Sequence, residues 1–259
     1  MGDGGASSFA SARVAAGYAA DRPAVHPRVL ALASDLGLLA DRVGLVLDLG
    51  CGAGASTRAV LAHAERCVGV DPSVAMVLAL AEVAPAAFGV VGAAEALPLG
   101  AGCVDLVTAA GALDYADLGP SLHEVGRVLR RGGRLLVYDF GTGERLAAGP
   151  DLAPWFAEFR ARHPRAPRRH ELFSIERASA AAPGAGLAVA GHHPFEVQVP
   201  IGRDRFIAYL ATESNVTAAV DGGADLRAIR AWMAETLPWP GDEVADVVFA
   251  GYLTAIDRV

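Results

Sequence analysis

The sequence predicts an α/β fold in which a doubly wound, mostly parallel sheet carries helices on both faces. Short and wholly apolar segments recur along the first half of the chain, which is typical of parallel strands buried on both faces. Segments with helical spacing of apolar residues separate them. Right-handed crossovers between such strands put helices on both sides of the sheet. Apolar residues make up 53% of the 259 residues, which is enough for a large core.

The predicted elements alternate regularly up to about residue 145. Apolar segments predict strands over 43–50, 66–71, 88–93, 104–111 and 133–140. Helical spacing predicts helices over 26–40, 55–65, 73–84 and 118–130. Beyond residue 145 we expect helices over 152–163, 203–213 and 225–237 and strands over 195–201 and 248–259. The last strand would close the sheet.

Composition and charge exclude several classes of function. The net charge is −7, and all 22 basic residues are arginine, which argues against a general nucleic-acid binder. Without lysine, the chain cannot form a lysine Schiff base. The three cysteines, Cys51, Cys67 and Cys103, have neither metal-ligand nor disulfide spacing, so no metal site is predicted. No apolar run approaches the roughly 20 residues of a membrane span, and the first residues lack a leader pattern. We therefore expect a cytoplasmic protein without membrane partners.

A glycine-rich turn, Gly50–Gly54, follows the first predicted strand and precedes a helix. This arrangement holds nucleotide-like ligands in α/β sheets. If Ala55 takes the last glycine position, the turn also fits a nicotinamide dinucleotide site. Asp48 separates the two possibilities, since a carboxylate at the strand end repels a pyrophosphate and favours an ammonium or sulfonium cation. Asp71, 21 residues after Gly50, ends the second strand and could accept both ribose hydroxyls of either cofactor.

Four sequence blocks resemble, in order, the class I S-adenosylmethionine-dependent methyltransferases of the small-molecule group called type 11. These blocks are Val46–Gly54, Gly69–Ser73, Gly92–Pro98 and Glu124–Arg134. The resemblance implies a Rossmann-like seven-stranded sheet, mostly parallel, with the last strand antiparallel. It also implies S-adenosyl-L-methionine as the cofactor and S-adenosyl-L-homocysteine as the product.

The resemblance and the turn together indicate a set of cofactor-binding residues. Gly17–Pro23 resembles an N-terminal segment that folds over the cofactor in many members of the family. The family usually has an acidic residue at the position of Ala93, so the adenine would instead meet the backbone of Ala94 or the side chain of Glu95. The predicted cofactor-binding residues are Tyr18, Arg22, Asp48, Gly50, Gly52, Asp71, Pro72, Ala94, Glu95 and Ala110.

We expect one structural domain in three parts. Residues 1–42 would form an N-terminal helical segment that covers the cofactor site, and residues 43–145 the Rossmann-like core that binds the cofactor. Residues 146–259 would supply the C-terminal half of the sheet and the substrate region. Within this last part, a helical insertion over 203–240, before the last strand, would act as a cap.

Methyl transfer is an in-line displacement, so the enzyme has mainly to position the acceptor. An oxygen or carbon acceptor also needs a base. The predicted catalytic residues are Asp114, Tyr115 and His193, chosen from a wider set that also contains His123, Asp139, His192 and Glu213. His192 and His193 are expected in a loop before a strand.

The predicted function is methyl transfer to a small-molecule acceptor, through oxygen or carbon, by a monomer or homodimer. The absence of an obvious base suggests a second hypothesis, a cofactor-binding protein of methyltransferase fold with a non-methylating role, such as a cyclase or an assembly partner. A third, an NAD-dependent oxidoreductase, agrees with the glycine turn but not with Asp48 or the later blocks.

Overall fold

A mixed sheet of eight strands lies at the centre of the computed structural model, which describes residues 22–165, 170–241 and 244–259. The strands are β1 Val43–Leu49, β2 Ala64–Asp71, β3 Phe88–Val91, β4 Val104–Ala110, β5 Leu129–Phe140, β6 Arg145–Leu146, β7 Leu187–Gly202 and β8 Val244–Arg258. Strands β1 to β5 are parallel, in the order β3-β2-β1-β4-β5. β8 runs antiparallel to β5 and to β7. The predicted doubly wound sheet with an antiparallel last strand is therefore confirmed, and the two-residue β6 is an addition to it.

The helices connect the strands where helical spacing predicted most of them. They are α1 Val25–Asp35, α2 Ala55–Val60, α3 Val74–Val83, α4 Leu118–Val128, α5 Ala153–Arg162, α6 Ile175–Ala181, α7 Arg203–Leu210, α8 Ser214–Asp221 and α9 Leu226–Thr236. Ser73 and Ser174 cap α3 and α6 by accepting a hydrogen bond from an amide of the first turn. The sequence did not predict α6 or α8. Within the described ranges, no helix combines the length and the hydrophobicity needed to cross a bilayer.

Both faces of the sheet are covered by apolar side chains. One cluster contains residues of α1, α2, α5, α7 and α9 together with one face of the strands. The other contains residues of α4 and α6 with the opposite face. The first cluster is rich in aromatic rings: Trp155 stacks on Phe159 and on Trp232. These rings join α5 to the helices that precede the last strand.

Strands β7 and β8 extend past the carboxyl end of β5. β5 ends at Phe140, opposite Gly251, whereas the pairing of β7 with β8 continues to Gly202 and Val244. Helices α7 to α9 connect these extended ends. The helical insertion therefore stands beyond the carboxyl edge of the parallel strands, at the position in the chain that the sequence predicted.

His26 joins α1 to the end of β5. Its Nδ1 lies 3.0 Å from the hydroxyl oxygen of Tyr138, and its ring meets those of Tyr138 and Phe140 edge-on. Burial of the imidazole, with Arg22 and Arg58 nearby, lowers the pKa of His26 to about 3. The folded protein therefore keeps His26 neutral.

This pKa predicts acid sensitivity. Because the pKa of His26 is lower in the folded state than its ordinary value of 6.5, the unfolded chain binds the extra proton. The free energy of unfolding should therefore be independent of His26 above pH 6.5. Below that pH it should fall by up to about 1.4 kcal/mol per pH unit. Urea denaturation between pH 5 and 7 should show that the free energy of unfolding falls more steeply with decreasing pH for the wild type than for His26→Gln. Equal slopes for the two proteins would contradict this assignment.

Candidate active site

The glycine turn after β1 contains three glycines at positive φ, Gly50, Gly52 and Gly54. Gly50 has φ +65°, and a Cβ there would lie 2.3 Å from the Cβ of Ala112, so the two segments touch. Gly52 has φ +51°, but a Cβ there would meet no atom within 4 Å. The turn is thus closed at Gly50, against the segment that follows β4, and open at Gly52. The open position leaves room for a ligand next to the backbone.

Three amides of the turn donate to residues of β2. The N–H groups of Gly50 and Cys51 both donate to the carbonyl oxygen of Val70, at 2.8 and 3.1 Å. The N–H of Gly52 donates to Oδ2 of Asp71 at 3.0 Å. A dinucleotide site presents such amides to a pyrophosphate. Here they are bound to β2 instead, which adds a structural reason to the sequence argument against a dinucleotide.

Asp48 is fully buried at the end of β1 and accepts three hydroxyl hydrogen bonds. Ser56 and Thr57 of α2 donate to its Oδ2 at 2.7 and 2.6 Å, and Thr108 of β4 donates to Oδ1 at 2.8 Å. Burial raises the pKa of Asp48, while the hydroxyls oppose that shift. The structure therefore places the carboxylate behind the turn. There it connects α2 and β4 to β1, and its charge lies on the inner side of the glycine turn.

Asp71 is more accessible and faces the turn. Its Oδ1 accepts from the N–H of Ser73 at 2.9 Å, and its Oδ2 from Gly52. Burial raises the pKa of Asp71, and these two amides oppose the shift. Each oxygen retains a lone pair, and the side chain is only partly buried. Asp71 can therefore accept further hydroxyl groups, and Pro72 beside it is exposed.

The remaining predicted cofactor residues lie along the same carboxyl edge. Ala110 ends β4 next to the turn, since Leu49 pairs with Ala109. Ala94 packs with its side chain against the core, so only its backbone can face an adenine. Oε1 of Glu95 accepts from the N–H of Asp117 at 2.8 Å and so holds the start of α4. Their roles toward a ligand stay predictions.

The N-terminal segment meets the helical insertion through Arg22. Its Nη1 lies 3.4 Å from Oε1 of Glu213, and its guanidinium sits over the ring of Tyr209, 5.2 Å from the centroid. Tyr18 lies outside the described residues. Arg22, one of the predicted cofactor-binding residues, is thus in contact with the segment between α7 and α8.

Two of the predicted catalytic residues follow β4 in a short helical turn, Leu113–Tyr115. Oδ1 of Asp114 accepts from the N–H of Phe173 at 2.7 Å, and Asp114 is 8% exposed. Tyr115 is 56% exposed. The ring of Phe173 stacks on Tyr252. Asp114 therefore fixes the segment before α6 at this edge, while Tyr115 faces the solvent beside it.

The prediction that His192 and His193 lie in a loop is wrong. Both belong to β7, opposite Thr254 and Leu253 of β8. Gly191 and Pro194 suggested a loop, but pairing with β8 continues through them with one irregularity before Gly191.

The same strand separates His193 from Asp114. His192 stacks on Tyr252, on the face where Asp114 lies. Successive side chains of a strand point to opposite faces, so His193 lies on the other face. The structure thus brings Asp114 and Tyr115 together but does not bring His193 to them.

Asp139 lies close to the site, which the sequence did not determine. A Cβ on Gly111, just past the end of β4, would be 3.1 Å from Oδ1 of Asp139. This places a carboxylate where β4 and β5 end side by side. The hydroxyl partners of Asp48 were missed altogether; the one sequence signal was the Ser-Thr pair at the start of α2.

The fold and the site are similar to those of one class of protein, the class I S-adenosylmethionine-dependent methyltransferases. Three features agree with it: the strand order, the turn with its amides bound to β2, and the accessible carboxylate at the end of β2. Residues 47–137 match the family model described as a methyltransferase domain. The chain therefore carries a methyltransferase domain, and S-adenosylmethionine is the cofactor of that domain.

Relatives and solved structures agree with this assignment. An uncharacterised methyltransferase of Mycobacterium tuberculosis is 36% identical over 139 residues, which are 54% of this chain and 54% of that protein. A demethylmenaquinone methyltransferase of the same species is 41% identical over 99 residues, 38% of this chain and 41% of that protein. The match thus spans about half the length of such curated relatives, or less. A solved structure described as a type II methyltransferase from Anaeromyxobacter dehalogenans is 28% identical with a TM-score of 0.64, covering 88% of this chain and 95% of that one.

Proposed function

We propose that this protein transfers the methyl group of S-adenosylmethionine to an oxygen or carbon atom of a small-molecule acceptor. The observation that carries the proposal is the carboxyl edge of β1, β2 and β4. There an open glycine turn adjoins Asp71, an accessible hydrogen-bond acceptor. A small-molecule acceptor is supported by the relative named for demethylmenaquinone.

The residues at this edge would bind and orient the cofactor. Bound S-adenosylmethionine supplies an electrophilic methyl group on a sulfonium. Asp71 would accept the ribose hydroxyls, and the open side of Gly52 would admit the amino-acid end. The buried charge of Asp48 favours a cation nearby through Coulomb attraction in a dry environment. Arg22 and the helices of the insertion would cover the site and exclude water.

The acceptor would lie beyond β4 and β5. An open depression of about 380 Å³ begins directly past β5, lined among others by Thr142, Glu144 and Val248, which is of the size that holds small molecules. Tyr115 follows β4, and Asp139 lies near the end of β5. Either residue would take a proton from an acceptor hydroxyl or carbon.

Two measurements test the proposal. Calorimetry with S-adenosylmethionine and S-adenosylhomocysteine should show binding of both, and no binding at millimolar concentration would refute the cofactor assignment. Incubation with methyl-labelled cofactor and an extract of the source organism should then give S-adenosylhomocysteine and a labelled small molecule. Titration with NADH serves as the control and should show no binding.

A second candidate function is cofactor binding without methyl transfer, as in a cyclase or an assembly partner. The separation of His193 from Asp114 favours it, since two of the three residues predicted to be catalytic then lie on opposite faces of the sheet. It predicts the same calorimetric binding but no S-adenosylhomocysteine with any acceptor. The labelling experiment therefore decides between the two.

Gly52→Ala should lower cofactor affinity because its Cβ would enter the open side of the turn. We expect about a tenfold loss, which is about 1.4 kcal/mol. The matched control is Gly37→Ala, since Gly37 also has positive φ, +69°, with no atom within 4 Å of a Cβ, but lies after α1. Both changes impose similar backbone strain, so thermal stability should fall alike. Equal cofactor affinities in calorimetry would refute the assignment of Gly52.

A further inference from the structure

An ion pair on α4 binds the backbone of the segment that follows β3. Nε and Nη2 of Arg127 donate to the two carboxylate oxygens of Glu124, at 2.7 and 2.6 Å. Oε2 of Glu124 accepts from the N–H of Leu97 at 2.8 Å, and Nη2 of Arg127 donates to the carbonyl oxygen of Leu97 at 3.0 Å. Nη1 of Arg127 also donates to the carbonyl oxygen of Leu99 at 2.8 Å. Two side chains of α4 therefore hold three backbone groups of one loop.

These bonds fix Leu97 more firmly than packing alone would. Hydrogen bonds to ionised groups are shorter and stronger than those between neutral groups. The hydrogen bond from Arg127 lowers the pKa of Glu124, so the carboxylate stays charged. The side chain of Leu97 is 5% exposed and packs in the cluster that contains the buried residues of α4. Leu97 is therefore held through its N–H, its carbonyl oxygen and its side chain.

The held residue lies two positions after Glu95, at the end of the loop that is predicted to meet the adenine. This loop is closed on itself, since the N–H of Ala96 donates to the carbonyl oxygen of Ala93 at 3.2 Å. Its other end is joined to the predicted ribose site, because the N–H of Gly92 donates to the carbonyl oxygen of Asp71 at 3.1 Å. The loop thus lies between two anchors, one on β2 and one on α4.

We infer that Glu124 and Arg127 are positioning residues for adenine recognition. They act through Leu97, which keeps the preceding residues at a fixed distance from the end of β2. The exocyclic amine of adenine would donate to the carbonyl oxygen of Ala94 or to Glu95, and either acceptor meets the amine only if the loop keeps its place. The inference rests on the proposed function, since it requires S-adenosylmethionine to bind at this edge.

Discrimination between two ligands tests the inference more sharply than affinity alone. S-inosylhomocysteine carries a carbonyl oxygen where S-adenosylhomocysteine carries the exocyclic amine, so an acceptor in the protein would face another acceptor. A site built for one hydrogen-bonding group rejects the analogue that lacks it. In calorimetry the wild type should bind S-adenosylhomocysteine at least about tenfold more tightly than S-inosylhomocysteine. Arg127→Met keeps an apolar stem but loses the guanidinium, so most of this ratio should be lost.

The matched control is Arg134→Met. Arg134 also donates to both oxygens of a carboxylate, that of Asp257 at 2.5 and 2.9 Å, and to the carbonyl oxygen of Leu38 at 3.0 Å. It lies toward the opposite edge of the sheet, since it pairs with Leu106 near the start of β4. Its loss should lower thermal stability to a similar extent but leave the ligand ratio unchanged. A ratio unchanged in Arg127→Met, or lost equally in both variants, would overturn the inference.

Hydrogen exchange of the wild type gives a second readout, which does not depend on the folding of a variant. Saturating S-adenosylhomocysteine should slow the exchange of the Leu97 amide more than that of the Leu45 amide. The Leu45 amide also donates to a carboxylate, Oδ2 of Asp105 at 2.6 Å, but at the opposite edge of the sheet. Equal slowing of the two amides would contradict the inference. A wild type that binds no S-adenosylhomocysteine would refute the proposed function itself, whereas binding without discrimination between the two ligands would refute only the inference.

Discussion

Replacing Asp48 with alanine is expected to lower the free energy of unfolding by about 3 kcal/mol, since three buried hydroxyls would each lose an acceptor at roughly 1 kcal/mol. Ser56, Thr57 and Thr108 are 5%, 0% and 1% exposed, so water cannot readily replace the carboxylate. The same change should loosen the glycine turn, because Asp48 binds α2 and β4 to the strand before it. Denaturation in urea measures the first effect, and calorimetry with S-adenosylmethionine the second.

Two further variants separate shape from charge at this position. Asp48→Asn keeps the size of the side chain and one carbonyl acceptor, so its loss of stability should be smaller than that of Asp48→Ala. Thr108→Val removes one of the three hydroxyls, and it should cost about 1 kcal/mol. If Asp48→Ala were as stable as the wild type, the hydroxyl network would not hold the turn.

Replacing Asp71 with alanine should weaken S-adenosylmethionine binding about 100-fold, or about 2.8 kcal/mol. Hydrogen bonds to a charged acceptor contribute about 1.5–3 kcal/mol, and Asp71 is expected to accept from the ribose. Since burial raises the pKa of Asp71, the wild type should begin to lose affinity, as the pH falls, at a higher pH than an exposed aspartate would give. Calorimetry over a pH series measures both effects.

The matched control for this change is Asp105→Ala. Asp105 also accepts a backbone hydrogen bond, from the N–H of Leu45 at 2.6 Å, and pairs with Arg130. It lies at the beginning of β4, at the opposite edge of the sheet from Asp71. Its loss should lower stability without changing cofactor affinity. A parallel loss of affinity in both variants would mean that Asp71 acts only through the fold.

Asp48 and Asp71 also show how little the sequence says about the surroundings of a carboxylate. Asp48 and Asp71 were both predicted to face the ligand, because each ends a strand at the carboxyl edge. Only contacts from α2 and from β4, sixty residues away, show that Asp48 is enclosed. The spacing of residues along one strand carries no information about which neighbour covers its end.

Sequence alone was sufficient for the succession of strands and helices in the first half of the chain, for the turn and, through the family resemblance, for the class of cofactor. Apolar runs, glycines and the residues next to them are local features, and parallel strands necessarily bring their carboxyl ends to one edge. The helical insertion before β8 was also evident, because its spacing changes at residue 203.

Only the tertiary structure decided the rest. It placed His193 in a strand because pairing with β8 outweighs the turn preference of Gly191 and Pro194. It brought Arg22 to Glu213 and Asp139 to Gly111, contacts between segments far apart in the chain. It also joined α4 to the segment that follows β3. Contacts between distant segments depend on packing, and the local preferences that make a sequence readable do not determine them.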